Sequence, residues 1–290
     1  MPPGDRTPRT QIPRSGERRL YTPRAMSEQA PPTDQRTLPD VARERYWRQR
    51  HASAYRFAAG RCSGKVVLDA GCGEGYGSRL LADRAAHVVG VDADAAAVAR
   101  ARRRHPPVGG DPGRGPKIQG RDPGRGPEIQ FRRADVADLP LPDGSVDVAV
   151  CLHVLEQTAD PGGALDELRR VLAPGGELVC ATSNRLTSTP GRDRPVDPSH
   201  LREFAPGELR GLLAGRFRLK ALLGVHHARW LQPLERLAGR TLPDLMVSRP
   251  GEGWPTLLQL AVAGVGGTEL TIRADRLDAS LDLVAVASVE

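Results

Sequence analysis

The sequence predicts an α/β fold built on a mainly parallel β-sheet, and three observations carry that prediction. Short β-prone runs alternate with helical patterns from Lys65 to Asn184, the pattern of βαβ units. A glycine-rich stretch, LDAGCGEGYG at residues 68–77, ends the first of these runs and opens the first helix after it. At 290 residues, the chain is long enough to bury the core that such a sheet requires.

The elements follow in order. Residues 1–40 are rich in Pro, Arg, Thr and Gln and poor in large apolar residues, so a disordered basic tail is expected, with one domain over 41–290. Met26 would serve equally well as a start, and residues 1–25 read as an overcalled beginning; a native N-terminus at Met1, found by mass spectrometry, would overturn that. From Arg43 to Gly60, the spacing of Tyr46, Trp47, His51, Ala54, Tyr55 and Ala58 predicts an amphipathic helix. KVVLDAGCGEGYG reads as a strand ending in a glycine loop, with a helix over Ser78–Ala86. HVVGVDAD is a second strand, followed by a helix over Ala95–Arg104. IQFRRAD and SVDVAVCLHV are the third and fourth strands. Asp160-Pro161 opens a helix to Leu172, and GELVCATSN is the fifth strand. A polar, proline-bearing loop (185–206), a short helix (207–214), a strand at Phe217–Val225 and a less regular region (226–268) come next. SLDLVAVASV at the end reads as a late strand returning to the sheet.

One segment does not fit the alternation. Residues 111–119 read DPGRGPKIQ and residues 122–130 read DPGRGPEIQ, a near-repeat after eleven residues. Connections in α/β units usually run to a few residues, and 105–127 far exceeds that. Residues 107–126 are therefore expected to be an exposed, duplicated insertion, with only the second copy supplying the third strand. Competition of the two copies for one register is the alternative.

The net charge of +7 is concentrated locally: +4 in residues 1–25, +4 in 43–56 and +7 in 100–133, which leaves the rest of the chain at −8. That is not the footprint of a nucleic-acid surface, and the doublet lacks the aromatics of a base-stacking platform. No apolar run approaches the roughly 18 residues of a membrane span. Arg18-Arg19 has no apolar stretch after it, so no secretory or twin-arginine signal is expected. Cys62, Cys72, Cys151 and Cys180 show neither CxxC pairing nor metal-ligand spacing, which fits reduced cytoplasmic thiols and no bound metal.

Glycines at 71, 73 and 75 directly after a strand let the backbone turn tightly and approach a ligand. The dinucleotide pattern G-x-G-x-x-G fails, because its third glycine falls on Tyr76 from one starting point and on Ser78 from the other. What stands instead is Asp69-x-Gly71-x-Gly73-x-Gly75.

On these residues the sequence resembles the class I S-adenosylmethionine-dependent methyltransferases of the small-molecule type. VLDAGCGEGYG looks like that family's first motif. VVGVDAD places Asp92 where the family binds ribose hydroxyls. RRADVADLPLPDGSVDVAVCLHVLEQTADP and LRRVLAPGGELVCATSN are similar to its later blocks. The resemblance implies a Rossmann-like, doubly wound, seven-stranded and mainly parallel sheet with one antiparallel strand. It implies S-adenosyl-L-methionine as cofactor and methyl transfer to an oxygen, nitrogen or carbon of a small-molecule acceptor.

Carried over residue by residue, the cofactor contacts would be Asp69, Gly71, Cys72, Gly73, Gly75, Asp92, Ala93, Asp135, Val136 and Tyr55. Asp92 would accept from the ribose, Asp135 from the adenine amino group, and Asp69 would reach the methionine amino group. The plainer readings are a surface turn for Asp92, a helix cap for Asp135, a cap of loop amides for Asp69 and a core aromatic for Tyr55. Cys72 reads as small-residue packing and Cys151 as a buried strand residue.

His153, after the fourth strand, is the first candidate for a base or a substrate contact, with packing beneath the cofactor as its alternative. His200, in DPSHLREF, is a second candidate, with a loop pinned by Arg202 and Glu203 as its alternative. The family's second histidine in this region is Gln157 here, and the arginine of its H-x-x-R-Y helix pattern is Ala54. Two other functions remain open: methylation of nucleic acid, and a non-catalytic relative that binds the cofactor without turnover.

Overall fold

The strand Val66–Ala70 (β1) is apolar on both faces except for Asp69, as a central parallel strand must be. It pairs in parallel with His87–Asp92 (β2), matching Leu68 to Val89, and with Val146–Leu152 (β4), matching Leu68 to Ala149. Glu128–Arg133 (β3) extends the sheet beyond β2, and Leu172–Ser183 (β5) extends it beyond β4. The computed structural model describes residues 38–106, 128–227, 264 and 270–290.

Past β5 the sheet continues through Asp282–Ser288 (β8), Arg218–His227 (β6) and Leu270–Arg273 (β7), in the order β3-β2-β1-β4-β5-β8-β6-β7. β8 runs antiparallel to both β5 and β6, and β7 antiparallel to β6. The sheet is thus Rossmann-like and mainly parallel, with eight strands rather than seven and two that oppose the rest. The additional strand is β7, four residues that pair with the Gly224–His227 end of β6. The expected strand at Phe217–Val225 runs on to His227 for the same reason.

Helices cover both faces. Leu38–Ala59 (α1) and Tyr76–Ala82 (α2) lie over one core with Tyr46, Tyr55, Val67, Leu81, Val150 and Val284. Pro161–Val171 (α4) and Pro206–Leu213 (α6) cover the other, where Leu68, Ala149, Leu165, Leu168, Leu209 and Leu283 meet. Successive strand residues therefore feed opposite cores, the period of two that a strand imposes. α4 starts as its sequence dictates: the Asp160 carboxylate accepts from the Gly163 N–H at 3.0 Å, and Pro161 occupies the first turn. Ala164, Leu165, Leu168 and Val171 then form its buried stripe. Between them, Ala95–Arg104 (α3) packs beside β2 and β3, and Arg185–Ser188 (α5) is a single turn after β5.

The bounds of α1 and α2 also differ from expectation. α1 begins at Leu38, inside the expected tail. α2 starts two residues earlier than expected, within the glycine loop, and stops at Ala82. There the chain turns so that the Ala86 N–H can donate to the Lys65 carbonyl at 2.9 Å, ahead of β2. The remainder of the tail, the duplicated insertion at 107–126 and most of 226–268 lie outside the described residues. Among the described residues no helix is long and apolar enough to cross a membrane.

Candidate functional site

The carboxyl ends of β1, β2, β3, β4 and β5 come together at one edge of the sheet, where α/β folds of this kind bind ligands. Two groups of side chains meet there.

The first surrounds the glycine loop. Gly71, Gly73 and Gly75 all have φ in the left-handed region, at 79°, 53° and 82°. A Cβ on Gly71 would lie 2.2 Å from Val154 Cγ2, and one on Gly75 would lie 2.6 Å from Phe131 Cζ, so these two glycines also allow close packing. A Cβ on Gly73 would meet no atom within 4 Å, so the loop is open on that side. Asp92, half-buried at the end of β2, accepts from the Gly73 N–H and the Asp94 N–H, both at 2.8 Å. Burial raises its carboxyl above the usual range, with the two amides partly opposing it. Next to Asp92, the Ala93 carbonyl accepts from Arg133 Nε at 3.3 Å. The Ala134 N–H donates to the Asp92 carbonyl at 3.0 Å, which sets Asp135 beside Asp92 on the neighbouring strand end. Asp135 caps its own turn through the Ala137 N–H at 3.0 Å, and the Val136 side chain is buried in the core beneath.

Asp69 is fully buried. It caps side chains rather than loop amides, accepting from the Tyr55 hydroxyl at 3.1 Å and the Ser78 hydroxyl at 2.6 Å. Burial outweighs both hydrogen bonds and pushes its carboxyl up to about 6. Tyr55 is core aromatic and loop support at once: its ring rests on Gly77, where a Cβ would lie 2.0 Å from Cζ. Cys72 and Cys151 are buried, and burial drives both thiols up, which leaves neither a ready thiolate.

The second group lies at the ends of β4, β5 and β8. His153 takes φ 57°, a left-handed conformation that is uncommon outside glycine. Its N–H donates to the Ala181 carbonyl at 2.8 Å, and Nδ1 is 3.0 Å from Glu156 Oε1. In the neutral form of the ring, the carboxylate partner keeps the proton on Nδ1 and the lone pair on Nε2. Glu156 is fully buried and also accepts from the Ser183 N–H at 3.2 Å. Burial works against its charge, but the hydrogen bond and charge of His153 outweigh it and hold the carboxyl below the usual range. The His51 ring stacks on His153, with centroids 4.5 Å apart and planes 24° apart. Burial, and then the charge of His153, bring His51 down to about 3, so it is neutral.

His200 belongs to the same neighbourhood. Its Nδ1 is 3.0 Å from Glu203 Oε1, and Glu203 also accepts from the Thr189 hydroxyl at 2.6 Å. Burial disfavours charge on His200, but the Glu203 hydrogen bond and the Glu156 and Asp197 carboxylates prevail, and its pKa is raised. The N–H groups of Leu201 and Arg202 donate to the Glu156 carbonyl at 2.8 and 3.2 Å, so this loop docks directly onto the His153–Glu156 turn. Glu203 pins His200 as the loop reading expects. Arg202 instead donates to the Ala159 carbonyl at 2.9 Å.

Sequence reasoning passed over Ser78, Arg50 and Asp282. Ser78 carried a signal, since it follows the loop by three residues. Arg50 and Asp282 are 232 positions apart and carried none.

The methyltransferase domain family matches residues 68–180. A probable S-adenosylmethionine-dependent methyltransferase of Mycolicibacterium smegmatis is 39% identical over 269 residues, covering 91% of this chain and 96% of that protein. A ubiquinone biosynthesis O-methyltransferase of Hahella chejuensis is 34% identical over 123 residues, covering 42% of this chain and 44% of its own. Among solved structures, the methyltransferase bound to the Trm112 activator in Haloferax volcanii superposes with TM-score 0.53 at 20% identity. It spans 87% of this chain and 97% of its own, a likeness of fold.

Proposed function

The chain belongs to the S-adenosylmethionine-dependent methyltransferases, and from that premise we propose that it methylates a hydroxyl oxygen of a small molecule, with His153 as the proton acceptor. S-adenosylmethionine is the cofactor, and it supplies a methyl group already activated by a sulfonium. The residues at the first group fit it. The loop is open at Gly73, Asp92 and Asp135 follow the adjacent ends of β2 and β3, and buried Asp69 has the charge to meet an ammonium. Asp92 would hold the ribose hydroxyls, Asp135 and the Val136 amide the adenine, and Asp69 with Tyr55 the amino-acid end.

The observation that carries the oxygen reading is the His153–Glu156 pair. A sulfonium needs little help to be attacked, so the protein's remaining work is positioning and removal of a proton from a poor nucleophile. His153 Nε2 is buried and makes no hydrogen bond, while Glu156 fixes the opposite nitrogen. With the methyl group supplied by the bound cofactor, His153 Nε2 would take up the proton that the acceptor hydroxyl gives up as it is methylated. The O-methyltransferase likeness over the central part of the chain agrees with a small-molecule acceptor. The loop 185–206 and the segment 226–268 would shape its pocket.

The test uses transfer of labelled methyl into a metabolite extract, together with calorimetry of S-adenosylhomocysteine. We expect His153→Gln to lose about 10²- to 10⁴-fold in transfer and to keep product binding. Asp92→Ala is expected to lose binding. Full transfer by His153→Gln would refute the base, and undiminished binding by Asp92→Ala would refute the cofactor site. Wild-type binding without transfer to any extract component would favour a non-catalytic relative.

A further inference from the structure

The buried ion pair between Arg50 and Asp282 belongs to neither the glycine loop nor the His153–Glu156 dyad. Both side chains are 1% exposed. Arg50 Nε donates to Asp282 Oδ2 at 2.7 Å, and Nη2 donates to Oδ1 and to the Leu281 carbonyl, the latter at 2.8 Å. A pair gripped this way holds its carboxylate in one orientation. In that orientation Asp282 Oδ1 stands 3.9 Å from His153 Nε2. The gap is too long for a hydrogen bond and short enough for a strong charge interaction in a site shielded from water.

We propose that Asp282, fixed by Arg50, is a positioning residue for methyl transfer, placing a permanent negative charge beside the Nε2 of His153 that receives the acceptor's proton. This rests on the reading of His153 as the base.

The charges facing His153 support the assignment. From α1 come the Arg50 cation and neutral His51, which stacks on the ring. From the turn after β4 comes the Glu156 carboxylate on Nδ1, and from β8 comes Asp282. From the loop before α6 come His200 and Glu203, paired with one another. Asp197, 4.0 Å from His200 Nε2, adds a further carboxylate at the edge of the group. Glu156 fixes which nitrogen is free, and Asp282 favours the charge that forms there.

The experiment follows the His153 imidazole by heteronuclear NMR across pH, in the full-length protein saturated with S-adenosylhomocysteine. Asp282→Asn should lower the midpoint of the His153 titration by about one pH unit, the effect of removing an opposite charge within 4–6 Å. A purely architectural role would lower the melting temperature and leave that midpoint in place. Should Asp282→Asn fail to fold, the wild type gives the reciprocal reading. The ¹³C shift of the Asp282 carboxyl should then step at the His153 midpoint. An unmoved midpoint in the variant, or no step in the wild type, overturns the proposal. The readout is His153 itself and not turnover, so a failed base reading shows separately as full transfer by His153→Gln.

Discussion

Gly77 is the position where packing and the cofactor loop are most tightly joined, and Gly77→Ala tests that junction. Alanine in a helix is ordinarily better than glycine by about 0.8–1 kcal/mol. Here the new methyl would lie 2.0, 2.3 and 2.4 Å from three Tyr55 ring carbons, and no positive φ complicates the comparison. Those distances are far inside van der Waals contact, so the ring must move, and overpacking of this kind costs about 1–3 kcal/mol. A displaced ring also loses the Tyr55 hydroxyl bond to buried Asp69, a contact of a class contributing about 1.5–3 kcal/mol. Offset by the helix gain, the net loss is about 1.5–5 kcal/mol. In a chain of this size that lowers the melting temperature by roughly 3–20 °C. The control is Gly211→Ala in α6, where a Cβ would meet no atom within 4 Å. That change should stabilise by up to about 1 kcal/mol. Both variants are measured by thermal and urea unfolding, and S-adenosylhomocysteine affinity should fall only in Gly77→Ala. A Gly77→Ala protein as stable as Gly211→Ala would refute the close approach of Tyr55 to the loop helix.

Two pH dependences follow from the buried groups. Asp69, held up to about 6 by burial, is neutral below that value. In its proposed role as partner of the cofactor's ammonium it must ionise to bind, so cofactor affinity should rise with pH up to about 6 and level off above, by up to tenfold per unit. Asp69→Asn should bind weakly and without that slope, and a flat wild-type profile between pH 5 and 7 would remove Asp69 from the contact. His51 falls to about 3 in the folded protein from an ordinary value of 6.5. The unfolded chain therefore binds a proton that the folded chain refuses between those limits, and folding stability declines as pH falls through that window. Asp69 acts in the opposite sense between about 6 and 3.8, so the informative quantity is the difference between His51→Gln and wild type in urea unfolding. It should widen in the variant's favour toward low pH, and a constant difference would show that His51 is protonated within the fold.

The elements legible in the sequence are those whose signals are local. β1 and β4 announce themselves as apolar runs, α4 by Asp160-Pro161 and its stripe, and the loop by three glycines behind Asp69. His153 and Glu156 are only three positions apart, so their meeting in one turn was within reach of spacing alone. β7 was not legible, because four residues reading LTIR hold too little alternation to stand out. Arg50 and Asp282 were illegible for a different reason. Arg50 looked like one more cation in a basic helix, and Asp282 like a strand residue in SLDLVAVASV. Strand register closes that distance. Leu152 stands opposite Ala181 across β4 and β5, which sets His153 one step beyond, and Ser183 stands opposite Asp282 across β5 and β8. Once those three strands are in order, His153 and Asp282 must lie at the same edge. α1, crossing the same face, has one turn in which an arginine can reach them. The candidate site is thus fixed by pairing between strands that no single stretch of the sequence contains.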